Sequence, residues 1–428
     1  MPTIFVYFWL VNSETLKFNY ELFVAQRIVK SKQNKSSISA PIIKIAITAI
    51  ALGMIVMLVA VATGVGLQVK IREKIAGFKG HVQITNFHNN TSQITDNPID
   101  INQSFYPDFE SVSGVSYVQP FATKFGVVRS PESFQGILYK GVDSTYNWTF
   151  FEEYLVEGRV PNLFDKRSNE ILVSKLIAED MKYELGDKVN TFFLKDKLGQ
   201  LPNRRIFTVV GIYDTGYKEF DESLIYGDLR HIQRLNKWES NQVGGFEVVI
   251  DDFDQIQVKG VEIYNQIGSS LTSNTILEEF PAIFDWLAVF DNNIVVILII
   301  MIMIAGINMI TALLVLILER TQLIGILKAL GASSKSIAKI FLYNAAYLIL
   351  KGLFWGNIIG IGILWIQDYF GLISLDPQTY YVNTAPIYFS WISILALNIG
   401  TLLVCLLMLL LPAAIISKIE PSKVIKFE

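Results

Sequence analysis

A catalytic or metal site in this chain would have to be built from three histidines, one cysteine and a few adjacent carboxylates. His81 and His88 lie seven residues apart, which is not a zinc-ligand spacing, and His231 is remote in sequence. Cys405 sits alone inside an apolar run, so the chain offers neither an intramolecular disulfide nor a thiolate cluster. Glu152–Glu153, Asp251–Asp252 and Glu278–Glu279 are sequence neighbours. Neighbouring side chains on a regular element point apart, so these pairs read as solvated surface. No GxSxG or HExxH pattern occurs. The dipeptide Gly-Lys is absent, which removes any GxxxxGK[ST] phosphate loop. The expectation is a chain with no catalytic residues, no metal ligands and no cofactor of its own.

A different kind of chemistry is available to Leu318–Phe341, LERTQLIGILKALGASSKSIAKIF, which lies between two strongly apolar runs. On a helix, Leu323, Ile326, Leu327 and Leu330 share a face at i, i+3, i+4 and i+7, with Arg320 and Lys328 off it. Gly331 is placed to end that helix, and Ser333 or Ser334 to cap the next. Two readings fit the spacing. One is an interfacial helix that only tidies a loop. The other is a lever whose apolar ridge docks into a cytoplasmic partner.

The elements around this stretch are mostly apolar. Of 428 residues, 51% are hydrophobic and 18% charged, less than the quarter or so usual in soluble domains. The formal charge of −3 is too balanced to point to nucleic acid. A helical bilayer crossing needs about 20 apolar residues, and four segments qualify: 41–67, 294–318, 341–366 and 389–411, the last stopped by Pro412. The beginning, MPTIFVYFWLV, lacks the basic leader of a cleavable signal peptide. FNYELFVAQRIVK at 18–30 reads as an amphipathic interfacial helix or an ordinary short one, within a cytoplasmic segment 1–40.

Orientation follows from short-loop lysines and arginines. Arg27, Lys30, Lys32, Lys35 and Lys44 precede the first span; Arg320, Lys328, Lys335 and Lys339 lie between the second and third; Lys418, Lys423 and Lys426 follow the fourth. Residues 367–388 contain no Lys or Arg and read as a periplasmic loop. Both termini (the tail being 412–428) and segment 319–340 are thus expected in the cytoplasm, and 68–293 outside. Within 68–293, β-rich runs such as HVQITNF, FQGILYKGVD, KVNTFFL, RIFTVVGIYD and FEVVIDD alternate with helical ones. That mixture predicts an α+β domain inserted between the first and second transmembrane helices. QVKIREKIAGFKG and LEEFPAIFDWLAVFDNN read as helical stalks at its two ends.

Gly352, Gly356 and Gly360 form two successive GxxxG repeats, a pattern suited to close helix packing. Asn308, Asn344, Asn357 and Asn398 are expected to hydrogen-bond between helices, and Lys351 either to snorkel or to find a buried partner.

LERTQLIGILKALGAS resembles the coupling segment of the FtsX-like permease superfamily through Glu319, Arg320, Ile324, Gly325, Ile326, Leu327, Lys328, Ala329, Leu330, Gly331 and Ala332. Gln322 and Leu323 depart from the acidic pair usual there. The ending LPAAIISKIEPSKVIKFE is similar to that superfamily's C-terminus. YLVEGRVPN, NEILVSKLIAEDMKYELGDKV and FTVVGIYDTG resemble the MacB-like extracytoplasmic core.

The resemblance implies a membrane α-helical fold with four transmembrane helices and a MacB-like extracytoplasmic domain. It implies a non-catalytic permease of a mechanotransmitting ABC transporter in the bacterial inner membrane. ATP and Mg would then reside on a separate cognate ATPase, and a second permease copy or homologue would complete the dimer. Residues Glu319, Arg320, Leu323, Ile324, Ile326, Leu327, Lys328, Leu330 and Gly331 would couple to that ATPase. The layout is most similar to the lipoprotein-releasing (Lol-type) permeases, which hand lipoproteins to a periplasmic carrier. On that reading Met54, Met57, Leu58 and Val61 would line an acyl-chain cavity. A MacB-like efflux permease and an FtsX-like regulator of a cell-wall hydrolase share the same lever and stay open as alternatives.

Overall fold

A computed structural model describes residues 20–30, 39–89, 94–164, 166–194 and 201–418. Residues 1–17, Phe18, Lys32, Lys35, Lys423 and Lys426, on which the expected N-terminal segment and orientation partly rest, lie outside the described residues.

Helix α1, Tyr20–Lys30, comes first, followed by α2, Ser39–Lys79, of 41 residues. At about 1.5 Å per residue α2 is roughly 60 Å long, twice the ~30 Å of a hydrocarbon core. Its apolar part gives way to charge at Lys70, Arg72, Glu73 and Lys74. It stops at Gly80, whose φ of +70° suits glycine and whose N–H donates to the Ala76 carbonyl at 2.7 Å.

The α+β region that follows contains strands β1 Val82–Asn86, β2 Ile99–Asp100, β3 Val115–Arg129, β4 Phe134–Val142, β5 Leu155–Gly158, β6 Glu170–Ser174, β7 Lys188–Phe193, β8 Asn203–Tyr213, β9 Leu224–Asp228, β10 Gln242–Val243, β11 Gly245–Ile250 and β12 Leu271–Thr275. Helices α3 Lys175–Met181, α4 Arg230–Asn236 and α5 Ile256–Gln266 intervene. The large sheet runs in the order β12-β1-β11-β3-β4-β9-β6-β8-β5, with β7 bonded to β3 and β8. Most neighbours are antiparallel, but β4–β9 and β6–β8 are parallel. Strand β7 shows why these sequences pair: Val189, Thr191 and Phe193 alternate inward with period two. The core gathers Val82, Ile84, Ile137, Tyr139, Ile171, Val173, Phe207 and Val248, all essentially without solvent exposure.

Helix α6, Pro281–Glu319, leaves this region after a Thr275/Glu278 capping box. Then come α7 Thr321–Ala329, α8 Ser334–Phe370 and α9 Trp391–Met408. Serine side chains start both of the last two: Ser333 accepts from the Ser336 N–H and Ser390 from that of Ser393, each at 3.2 Å. Helix α9 is interrupted after Met408, the residue whose carbonyl Pro412 has no N–H to serve. Helical structure resumes over Leu410–Ala413 and the 3-10 turn Ala414–Lys418, so Pro412 interrupts the fourth span rather than stopping it. Helices α2, α6, α8 and the stretch beginning with α9 are long and apolar enough to cross a membrane.

The chain divides into two compact units. One holds the described residues of Met1–Val65, Phe290–Gly371 and Ile387–Glu428; the other holds Gly66–Val289 with Leu372–Pro386. The expected loop 367–388 is therefore more than a connector, since Leu372–Pro386 packs as part of the α+β unit. Within 319–340 the chain breaks where the sequence places a helix end and a new cap. Glu319 closes α6, α7 stands alone, and Ser334 onward already belongs to α8.

Candidate functional site

Helix α7 is delimited by its own sequence. Arg320 leaves helical geometry at φ −103° and ψ 20°. At the far end Gly331 takes φ +93°. Its N–H donates to the Lys328 carbonyl and that of Ala332 to Leu327, both at 3.0 Å. This double closure satisfies the last carbonyls and needs a residue without Cβ strain at Gly331.

The predicted ridge is split by the packing. Ile324 is fully buried, and Leu323 and Leu327 pack against Ala25, Ile28 and Ile340, so α1 and α8 already cover that side. Ile326 and Leu330, four residues apart, are 45% and 79% exposed. Helical spacing placed all of Leu323, Ile326, Leu327 and Leu330 on one free face; that placement is corrected because α1 occupies half of it. Lys328 is also more than an exposed charge. Its Nζ donates to the Ile416 carbonyl at 2.8 Å, in the 3-10 turn Ala414–Lys418. Glu319 is exposed and Arg320 half-buried beside the helix start. The result is a short helix braced by α1, α8 and the turn after α9, presenting two large aliphatic side chains.

The glycines of α8 face α2. A Cβ on Gly352 would lie 2.8 Å from Ile50 Cβ, one on Gly356 2.7 Å from Met54 Cβ and 2.8 Å from the Ala51 carbonyl, and one on Gly360 2.9 Å from Leu58. Met54 and Met57 have no exposure and Leu58 almost none. Met54 and Met57 are thus buried within the chain, Met54 against Gly356 of α8. Leu58 and Val61 border a small cleft of about 20 Å³ with Val65, Leu364 and Tyr388, room for about one water. On the other side of α8, Asn357 and Asn398 exchange side-chain hydrogen bonds at 2.7 and 3.1 Å. Lys351 is exposed.

In the α+β unit the end of α2 is held by groups that no sequence motif marks. Phe78, fully buried, meets Phe150, Phe151 and Phe220 at ring separations of 5.4, 5.8 and 4.5 Å. Its carbonyl, one of the unpaired carbonyls that end a helix, accepts from Lys140 Nζ at 2.6 Å. Lys140 also forms a 2.6 Å ion pair with Glu247, with side chains 3% and 0% exposed. Gln83 and Gln119 donate to the two Glu247 oxygens at 3.1 Å each. Burial lowers the Lys140 pKa, opposed by the Glu247 charge. A second ion pair, Lys79–Glu279 at 2.7 Å, joins the last residue of α2 to the segment before α6. The signal was present in the sequence: FQGILYKGVD and FEVVIDD each carry one charge inside an apolar strand.

The histidines serve the fold. His81 Nδ1 accepts the Ile250 N–H at 3.0 Å, and His231 Nε2 meets the Ser168 carbonyl at 2.7 Å. Burial pushes both pKa values down to about 4. Among the described residues no three His, Cys, Asp or Glu side chains cluster as a metal site would require.

A unit of long apolar helices, a braced short helix between two of them and a large inserted α+β domain together form the architecture of a permease, and the comparisons agree. Residues 45–260 match the MacB-like periplasmic core domain and residues 295–421 the FtsX-like permease C-terminal family. The chain belongs to this family of FtsX-like, MacB-like permeases and is an ABC transporter permease of the inner membrane. It is similar to the lipoprotein-releasing system transmembrane protein LolC of Xylella fastidiosa, 20% identical over 95% of this chain and 98% of that one. LolE of Haemophilus influenzae is 22% identical over 95% and 99% of the two chains, and LolC of Neisseria meningitidis serogroup B 22% over 96% and 100%.

Proposed function

We propose that this chain is the permease subunit of a transporter that extracts lipoproteins from the inner membrane for a periplasmic carrier. A separate ATPase carrying ATP and Mg drives it, and a second permease, a copy or a homologue, completes the assembly. Helix α7 is the coupling helix on the cytoplasmic side, and the α+β domain is periplasmic. The observation that carries the coupling role is the exposure of Ile326 and Leu330 on a helix braced from three directions. A braced helix moves as one body with α6 and α8, so a push on its ridge reaches two spans. The lipoprotein cargo is supported by the names of relatives that match over nearly their whole length. Moving an acyl chain out of a bilayer costs about 0.8 kcal/mol per CH₂, so an apolar surface must receive it. Leu58 and Val61 are assigned to that contact from the resemblance to Lol-type permeases, and the cleft they border would have to widen to admit a chain.

The test is Ile326→Asp and Leu330→Asp in the full chain, measured by ATPase co-purification and by lipoprotein release from spheroplasts. An unpaired carboxylate pressed into an apolar groove costs several kcal/mol, so both variants should lose ATPase binding or release while inserting normally. Normal binding and release in both would remove α7 from the coupling role. Intact coupling with no lipoprotein release, but with drug efflux or activation of a cell-wall hydrolase, would replace the cargo with a MacB-like or FtsX-like one.

A further inference from the structure

We infer that Lys74 is a positioning residue that pins the segment joining the third and fourth spans to the α+β domain, at the point where both stalk helices enter it. The inference rests on the reading of the chain as an ATP-driven permease, though not on its cargo.

Lys74 lies on α2 five residues before its end and is only 4% exposed. Its Nζ donates to the Tyr381 carbonyl at 3.0 Å and to the Thr215 carbonyl. Each acceptor is itself fixed. Thr215 donates its N–H and Oγ1 to the two Asp221 carboxylate oxygens at 3.1 and 2.8 Å, and Asp221 is 1% exposed. Tyr381 closes the short helix Pro377–Tyr380 in a left-handed conformation, φ +58°. Its ring stacks on the fully buried Tyr217 at 4.9 Å and meets Trp286 of α6 edge-on at 6.0 Å. The segment is folded on itself through Leu375 N–H to Asn383 O at 2.9 Å and Ala385 N–H to Ile373 O at 3.0 Å. The Asn383 side chain covers Gly216, where a Cβ would come within 2.9 Å of Asn383 Oδ1.

Four stretches therefore converge here: α2 through Lys74, α6 through Trp286, the 372–386 segment through Tyr381 and Asn383, and the 214–221 turn. A buried ammonium is costly unless it is compensated, and here two carbonyls accept from it while the Tyr154 ring lies 5.5 Å away. An apolar side chain would fill the space yet leave the buried Thr215 carbonyl and the part-buried Tyr381 carbonyl unserved. The charge at Lys74 thus makes this junction specific. Because α8 and α9 flank the segment in the chain, a displacement of the stalks is passed to the third and fourth spans as well as to the domain.

The experiment compares the full-length wild type with Lys74→Met and Lys74→Arg in detergent by hydrogen exchange. In Lys74→Met, amides of 375–385 should exchange roughly ten-fold faster or more, while β6 and β9 keep their protection. Lys74→Arg should restore most of the protection. Unchanged exchange at 375–385, or equal loss across β6 and β9, overturns the inference, since Lys74 would then be idle or a plain core residue. A further variant, with the lysine kept, avoids any folding defect of the lysine substitutions. Gly216→Cys with Asn383→Cys places a Cβ 3.1 Å from the original Asn383 Cγ position, within reach of a disulfide. The cysteine at φ +69° carries strain, but equally in the reduced and oxidised forms that are compared. Assembled with its ATPase and oxidised, it should turn over ATP as fast as when reduced, because the segment travels with the domain. Loss of turnover on oxidation, recovered by reductant, overturns the inference. The exchange measurement needs neither ATPase nor cargo, so a failed release assay bears only on the proposed function.

Discussion

The α+β domain and the membrane unit solve the same packing problem in different solvents. In the domain, burying apolar strand faces removes them from water, at about 25 cal/mol per Å², and period-two strands such as β7 follow from that gain. In the membrane unit the alternative to a helix contact is lipid, as apolar as leucine, so burial as such contributes little. Close approach must do the holding. Helix α6 accordingly leaves Ile299, Ile300, Met303, Ile304 and Ile307 uncovered, whereas α8 turns Gly352, Gly356 and Gly360 towards α2. Polar residues differ in the same way. The domain buries a full ion pair, Lys140–Glu247, at the end of a stalk; the membrane unit uses a neutral amide pair, Asn357–Asn398.

The largest effect should come from breaking close approach. In Gly356→Leu the new Cβ alone would lie 2.7 Å from Met54 Cβ and 2.8 Å from the Ala51 carbonyl, which is backbone and cannot rotate away. Helices α2 and α8 would have to separate, undoing the contacts of Gly352 and Gly360 together. The expected outcome is loss of folded protein in detergent extracts, seen as a collapsed size-exclusion peak. Gly362→Leu, at a position with open space around the missing Cβ, serves as the control and should purify normally. Equal yields for the two variants would mean that the glycine ladder does not hold the helices.

The ladder was legible in the sequence because it is a local repeat, and so were the four long apolar helices, the inserted α+β domain, Gly331 as a helix end and Ser333 as a cap. What escaped depended on contacts between distant segments. Periodicity put Leu323 and Ile326 on one ridge, but only the docking of α1, some 300 positions earlier in the chain, decides which of them is covered. Met54 and Met57 looked adaptable by residue type; the partner that occupies Met54, Gly356, is a neighbour in space alone. Lys140 and Glu247 sit on strands β4 and β11, which are separated by β3 in the sheet, so no local pattern pairs them. Lys74 reads as an ordinary stalk charge until the 372–386 segment folds over it.

A smaller effect, on the domain side, tests whether the buried ion pair is worth keeping as a pair. Lys140→Met strands Glu247 in a dry interior with only two glutamine donors, and Glu247→Leu strands Lys140. Breaking one side of a buried pair typically costs about 3–5 kcal/mol. The double variant removes both charges and strands neither. It leaves the Phe78 carbonyl and the Gln83 and Gln119 amides without these partners, but these are neutral groups, each a loss of about 1–3 kcal/mol where water cannot reach it. Urea unfolding of the domain within the full chain, followed by limited proteolysis, should therefore rank the double variant above both singles. A double variant as weak as the sum of the singles would show that the charges act separately.

The smallest effect belongs to the amide pair, and it sharpens the contrast most. Asn357 and Asn398 each also donate to the carbonyl four residues back in their own helix, at 2.7 and 2.8 Å. Losing the partner therefore leaves a neutral donor with an acceptor, whereas losing Glu247 would leave the Lys140 charge without its counter-ion. The unfolded-in-membrane reference state also finds partners for such groups, and interhelical hydrogen bonds measured in bilayers average only about 0.6 kcal/mol. Asn357→Leu and Asn398→Leu should each lower stability by about that amount, with the double variant close to either single because one shared contact is lost. Thermal unfolding in detergent, run as a double-mutant cycle, gives the coupling directly. A coupling of several kcal/mol, comparable with the Lys140–Glu247 pair, would mean that the membrane unit relies on polar contacts as heavily as the domain does, and the distinction between the two units would fall to glycine packing alone.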